Sequence, residues 1–343
     1  MRAGYLIAPG QIEVRDDAVP AAEPGGVVVR VRVALTDGTD LKAFRRGHPQ
    51  MPMPTRFGHE FSGDVAAVGE GVTAFAVGDA IACVHSAPCG ECYWCARGRE
   101  ELCEHVMATK ILGAYAEYVA VPPHIVARNA FRKPAGLSYE AAAFLEPLAC
   151  VVHSLRDLAP PPDSRVAVIG DGGFGILHAL VAKRSHGARV LLIGRRPERM
   201  AVASAAGVEV LDARGRTLDQ TIDDVRRWSD GRGADAVVEC TGTKDAWEAA
   251  PSLAARGATA SLFGGLPSGT RVSFDAARLH YDGVRIISPF HFSPRSVREA
   301  FDLLAAAAID VTPLISDTYE LERLAEAFAA LDEGRGMKLA IVP

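Results

Sequence analysis

The sequence has no block of basic residues: its 37 lysines and arginines are scattered among 42 aspartates and glutamates, for a net charge of −5 over 343 residues. That argues against the electrostatic footprint used on nucleic acid or an anionic membrane surface. It also lacks an early run of apolar residues long enough for a signal peptide or a membrane span. Only Arg2 and a brief apolar stretch precede Pro9 and Gly10, so the expected location is the cytoplasm. Internal repeats and low-complexity segments are missing too. Seven cysteines are an awkward odd number for a secreted disulfide framework, and four of them stand close together. What is present, 49% hydrophobic and 23% charged residues, is the balance of a globular protein long enough for two domains, with a small molecule as the expected partner.

Up to about residue 125 the chain reads as short apolar runs punctuated by Gly, Pro and Asp: GVVVRVRVAL, FSGDVAAVGEGV, DAIACV and YAEYVAVP. The spacing predicts a mainly β, barrel-like or Greek-key domain, with no helix of normal length in it. From SYEAAAFLEPLACVVHSLRDL the pattern turns helical. After Pro160, Pro161 and Pro162, strands RVAVIG, RVLLIG, DAVVEC, ATASLFG and VRIISPF alternate at first with helical segments, as in a doubly wound parallel α/β sheet. The tail holds two helical patterns and a closing strand, which suits a return to the first domain. The expected division is therefore 1–150 completed by 289–343, and 151–288.

In the second domain an apolar strand runs into Gly170-Asp171-Gly172-Gly173-Phe174-Gly175 and then a helix. Glycines there permit a tight turn and close backbone approach, and the helix N-terminus can receive a pyrophosphate, so a dinucleotide cofactor is predicted. An NAD enzyme of this design carries an acid at the end of the next strand, about 20 residues on. Here Gly194 stands at that spot, followed by Arg195 and Arg196. With no acid there to repel a 2′-phosphate, and arginine able to bind one, NADP is favoured and NAD remains possible.

Cys89, Cys92, Cys95 and Cys103 form C-x2-C-x2-C-x7-C on one polar loop. Four thiolates close a tetrahedron about zinc and leave no open position, so this site is read as structural.

With these motifs in this order (GHEFSGDVAAVGEGV, the four-cysteine lobe, EPLACVVHSL, the Gly-rich turn and VVECTG), the chain resembles the zinc-containing medium-chain alcohol and polyol dehydrogenases over nearly its whole length. The resemblance implies a GroES-like catalytic domain, a Rossmann domain and zinc-dependent hydride transfer. It assigns His59 and Glu146 as ligands of a catalytic zinc. At the family's usual cysteine ligand stands Asp37, a substitution also carried by some glucose dehydrogenases of the family. Asp37 could instead be an ordinary turn residue. By the same resemblance Thr39 is the proton-relay hydroxyl, Asp40 orients the zinc-bound imidazole, and Glu60 lies beside the metal as an exchange partner for Glu146. Thr241, in VVECTG, joins the cofactor residues Gly170, Gly172, Gly173, Phe174, Gly175, Gly194, Arg195 and Arg196. Lys42 stands where some members have a relay histidine. His153 reads as a core histidine.

A carboxylate-lined pocket points to a secondary alcohol of a polyol, sugar, cyclitol or aminosugar. Oxidation of an aldose at C1 is the alternative; a zinc-free quinone or enoyl reductase follows if Asp37 holds no metal, and a non-catalytic NADPH-binding protein is the last reading. The apolar edge strand VRIISPF suits pairing between subunits, hence a homo-oligomer, dimer or tetramer.

Overall fold

In the strand Val27–Leu35 the exposed side chains are Arg30 and Arg32, set between buried valines, the alternation expected of a strand with one face in a core. The computed structural model describes residues 1–48 and 51–343 and divides into two units, Met1–Ala149 with Phe292–Pro343, and Cys150–His291.

In the first unit Val27–Leu35 pairs antiparallel with Glu60–Val68, Tyr118–Val121 and Lys338–Val342, within a seven-stranded sheet. A smaller three-stranded sheet joins Gln11–Asp16, Arg2–Ala8 and Thr55–Arg56. Phe57, Tyr115 and Phe328 pack ring against ring in the core, beside Leu6, Phe61 and Leu324. The tail contributes one strand more than the sequence pattern showed, Ile315–Glu320, which runs parallel to Lys338–Val342. Its burial alternates weakly, which hid it.

The expectation of no helix of normal length before residue 125 is corrected. Gly38–Arg46 is a nine-residue helix. Its first residues, Gly and Thr, are poor helix formers, but Asp37 caps it, Asp40 sits in the first turn and Arg45 and Arg46 in the last, all favourable to the helix dipole. Capping chemistry outweighed weak propensity.

The second unit holds six parallel strands in the spatial order Glu209–Asp212, Arg189–Gly194, Arg165–Ile169, Ala234–Glu239, Ala254–Leu262, Arg285–Ile287. The strand order reverses between Arg165–Ile169 and Ala234–Glu239, and the Gly-rich turn follows the first of these, where an open parallel sheet binds its ligand. Among the described residues no helix is long and apolar enough to cross a membrane.

Candidate functional site: a buried carboxylate and histidine cluster

Two antiparallel pairings gather residues from distant parts of the chain. Leu35 lies opposite both Glu60 and Ala340, so Thr36 and Asp37 emerge from the sheet beside His59, Glu60 and Lys338. Thr36 ties the closing strand in place: its N–H donates to the Leu339 carbonyl at 3.0 Å, and its Oγ1 accepts from the Leu339 N–H at 2.9 Å. Glu146 arrives on the first turn of the helix Leu145–Leu158, where Pro147 is tolerated because no intrahelical donor is lost.

Asp37 answers both readings of its position. Its Oδ1 accepts the Asp40 N–H at 2.7 Å as a helix cap, while its Oδ2 lies 3.8 Å from His59 Nε2. Asp40, fully buried, accepts from His59 Nδ1 at 3.1 Å and from the Tyr115 hydroxyl at 2.5 Å. That fixes the ring with Nε2 turned toward Asp37 and free of a proton when the imidazole is neutral. Thr39 is half-buried on the first turn of the same helix.

Two groups of possible ligand atoms, each within 4.8 Å, meet at His59: Asp37 with Asp40, and Glu60 with Glu146. The expected trio Asp37, His59 and Glu146 thus spans both. Lys338 donates to the Thr36 carbonyl at 2.8 Å and to Glu60 Oε2, leaving the buried Glu60 Oε1 with no hydrogen-bond donor. Burial alone would lower the His59 pKa, but Asp40, Asp37 and Glu146 outweigh it and hold it well above the usual histidine range. Burial, opposed by His59 and reinforced by Asp37, pushes Glu146 up to about 7. Four buried carboxylates around His59, with the Lys338 ammonium against Glu60, make a field that a divalent cation would relieve, and the orphaned Glu60 oxygen is one that such a cation could take.

Two residues of this cluster escaped the sequence reading. Lys338 is one. The other is His85, whose Nδ1 lies 3.4 Å from Glu146 Oε1 and whose ring meets His59 and Phe292 edge-on at 5.0 and 5.9 Å. A histidine just past the strand Ala80–Cys83 was the available signal, but its neighbours come from far along the chain. His153 is buried on its helix with Nε2 3.8 Å from Asp157, outside both groups.

The four cysteines converge with sulfur–sulfur separations of 4.0 Å for Cys89 and Cys95, 3.5 Å for Cys92 and Cys95, and 3.6 Å for Cys89 and Cys103. A tetrahedron with metal–sulfur bonds of about 2.3 Å has edges of about 3.8 Å, so the lobe has the dimensions of a closed zinc site. Backbone N–H groups of Cys89, Cys92 and His105 point at its sulfurs, and hydrogen bonds from Cys95 and Glu104 hold the Cys92 pKa down to about 6.

In the second unit Gly172 precedes the helix Gly173–His186, whose N-terminus has no side-chain cap and leaves its N–H groups to an anion. A side chain on Gly175 would meet the Gly170 carbonyl at 1.8 Å, so only glycine lets helix and turn close this tightly. The Phe174 ring, half-buried, packs on Phe263 at 5.0 Å. Glu239 accepts the Thr241 N–H at 2.6 Å and holds that turn beside Gly170. One premise is overturned. The spot at Gly194 is not without an acid: Asp171 folds over it, its Oδ2 accepting the N–H groups of Arg195 and Arg196 at 2.7 Å each. The carboxylate reaches there from the glycine-rich turn, about which the second strand gives no information.

Residues 23–130 match the alcohol dehydrogenase GroES-like domain family, and residues 173–306 the zinc-binding dehydrogenase family. The chain is 30% identical to D-arabitol-phosphate dehydrogenase of Enterococcus avium, over 97% of its own length and 95% of the relative's. It is 29% identical to sorbitol dehydrogenase of Halalkalibacterium halodurans, over 94% of each chain. A zinc-binding dehydrogenase of Sinorhizobium meliloti 1021, solved bound to NADP, superposes with a TM-score of 0.91 at 29% identity, covering 100% of this chain and 99% of that one. With a GroES-like unit, a Rossmann unit and relatives matched end to end, the chain belongs to the zinc-containing medium-chain alcohol and polyol dehydrogenases, and is an NAD(P)-dependent oxidoreductase.

Proposed function

We propose that the protein oxidises a secondary alcohol of a polyol, sugar, cyclitol or aminosugar, with NADP favoured over NAD, at a zinc ion held by Asp37, His59 and Glu146, while Cys89, Cys92, Cys95 and Cys103 hold a second, structural zinc. The observation that supports this reading is the buried cluster itself, in which two groups of possible ligand atoms, Asp37 with Asp40 and Glu60 with Glu146, meet at an oriented imidazole. A zinc ion held there would lower the proton affinity of a substrate hydroxyl, and a bound nicotinamide would serve as the hydride acceptor. The chain's own residues prepare this. Asp40 holds His59 in the tautomer that leaves Nε2 available, Tyr115 fixes Asp40 from the other side, and Lys338 keeps a buried positive charge against Glu60. Thr39, on the turn after Asp37, is assigned the relay hydroxyl that passes the substrate proton outward. The carboxylates that crowd the cluster also favour substrates rich in hydroxyl groups, or bearing an ammonium, over simple apolar alcohols. Curated relatives named for sorbitol and for D-arabitol phosphate support that class.

A panel of polyols, aminosugars and aldoses, followed by nicotinamide absorbance with each cofactor, tests the reading. Rates confined to aldoses would replace it with oxidation at C1. Turnover of quinones or enones, with none of any alcohol, would replace it with a reductase that needs no metal at Asp37.

Cofactor choice has its own test. Arg195 and Arg196 are both exposed at the end of the strand Arg189–Gly194, where a 2′-phosphate would lie. Losing a charge-assisted contact costs roughly 1.5 to 3 kcal/mol, about ten- to a hundredfold in affinity. The double substitution Arg195→Ala, Arg196→Ala is expected to weaken NADP(H) by that factor and leave NAD(H) nearly unchanged. Equal weakening of both in a binding titration would remove the arginines from the selection.

A homo-oligomer fits the open edge of the parallel sheet at Arg285–Ile287, flanked by exposed Leu279, Tyr281 and Phe290.

A further inference from the structure

An acid is missing from the end of the strand Arg189–Gly194, and the structure excludes one there. A Cβ added at Gly194 would fall 2.6 Å from Oδ2 of Asp171, 2.8 Å from its Cβ and 2.9 Å from its Cγ. Any side chain at that position collides with a carboxylate already in place. Asp171 comes from the turn between Gly170 and Gly172, and the Gly170 N–H anchors that turn to the strand end through the Ile193 carbonyl at 2.9 Å. Its Oδ2 takes both the Arg195 and the Arg196 N–H, at 2.7 Å each. Arg196 is the N-cap of the nine-residue helix Pro197–Ala205 and makes no side-chain cap of its own, so Asp171 satisfies donors that an incoming anion would otherwise use.

We infer that Asp171 determines cofactor selectivity: it supplies, from the Gly-rich turn, the ribose-facing carboxylate that the strand end lacks, and it limits the preference for a 2′-phosphate that Arg195 and Arg196 create. This rests on the reading of those arginines as the phosphate side of the adenosine site. The carboxylate acts in three ways. The two backbone N–H groups are taken by Oδ2, which leaves Oδ1, beside the nearby Arg199 charge, as the oxygen that would accept a ribose hydroxyl, the task a strand-end acid performs in NAD enzymes. Its negative charge repels a phosphate at the same spot, and that repulsion grows where water is partly excluded. Oδ2 meanwhile occupies the two backbone donors nearest to where a 2′-phosphate would sit. The three effects have the same sign: each favours NAD over NADP, against the pull of the arginines. The consequence is an enzyme that uses both cofactors, with the balance set by one residue outside the strand end where the determinant normally lies.

The test measures binding without turnover. Adenosine 2′,5′-bisphosphate and AMP differ only in the 2′-phosphate, so the ratio of their dissociation constants, taken by calorimetry on the full chain, isolates its recognition. Asp171→Asn keeps an oxygen that can accept from the turn and removes the charge. It is expected to shift the ratio toward the bisphosphate by about tenfold, equivalent to about 1.4 kcal/mol. Asp171→Ser, which deletes the carboxylate with a smaller group, must shift it the same way, and thermal melting of both variants verifies that the unit is folded. A ratio that is unchanged, or equal weakening of both nucleotides, assigns Asp171 a structural role in the turn and overturns the inference. Arg195→Ala with Arg196→Ala separates the two ideas. If that pair leaves the ratio untouched while Asp171→Asn moves it, the arginine reading fails and the aspartate's role stands. If wild-type protein binds neither nucleotide, both fail.

Discussion

Asp37→Asn is expected to cut turnover by more than about a hundredfold and to leave the protein with only the metal of its four-cysteine lobe. Loss of a group that merely orients a ligand costs about ten- to a hundredfold in metal affinity or activity, and loss of a ligand's charge exceeds that. The fold should not change. Asparagine caps helices as well as aspartate does, and its amide oxygen can take the Asp40 N–H that Oδ1 now accepts at 2.7 Å. Asp37→Cys gives the mirror result. It restores a thiolate ligand and binds zinc firmly, but forfeits the cap, at about 1 kcal/mol of stability. An Asn variant with full metal content and normal rate would leave Asp37 as a capping residue alone.

The largest stability effect belongs to Lys338. Lys338 is 3% exposed, and its ammonium lies against Glu60, which is fully buried. Lys338→Met leaves an uncompensated carboxylate in the core, which typically costs about 3 to 5 kcal/mol. Burial already pushes the Glu60 pKa well above the carboxylate range, with Lys338 opposing. Once the lysine is gone that shift grows. A carboxyl raised in the folded state destabilises above its unfolded pKa and ceases to do so once it is protonated. The deficit of Lys338→Met should therefore shrink as pH falls through the acidic range, and Lys338→Met with Glu60→Gln should recover most of it at neutral pH. Denaturant melts of the two variants and the wild type against pH measure this. A single variant as stable as wild type would remove Lys338 from the account.

These two residues also mark what could be read from the sequence. The parallel sheet was legible because its strands are short continuous apolar runs, and the cysteine lobe because all four sulfurs lie within one loop, where spacing alone sets geometry. His59 and Glu146 stood in local motifs. For Asp37 the sequence offers turn residue or ligand, a choice that treats a carboxylate as having one oxygen; Oδ1 caps a helix that the sequence did not show and Oδ2 faces His59. Lys338 was beyond reach for a different reason. It meets the Thr36 carbonyl across 302 positions of chain, through strand register that no local pattern reports. His85 and Asp171 are similar cases: each side chain acts where a neighbouring strand ends, and its own segment says nothing about which strand that is.

The central claim is that the protein carries two metals of unequal hold, one closed by four thiolates and one at an open site where a carboxylate replaces the usual sulfur. Removing the soft ligand weakens zinc binding there, while the lobe keeps its four thiolates. The direct test is metal content by mass spectrometry, with activity and circular dichroism, before and after mild chelation. The account predicts two zinc ions per chain at the outset, loss of one with all activity and no change in fold, and recovery when zinc is restored. Full activity with one zinc per chain, or simultaneous loss of both metals, would contradict it.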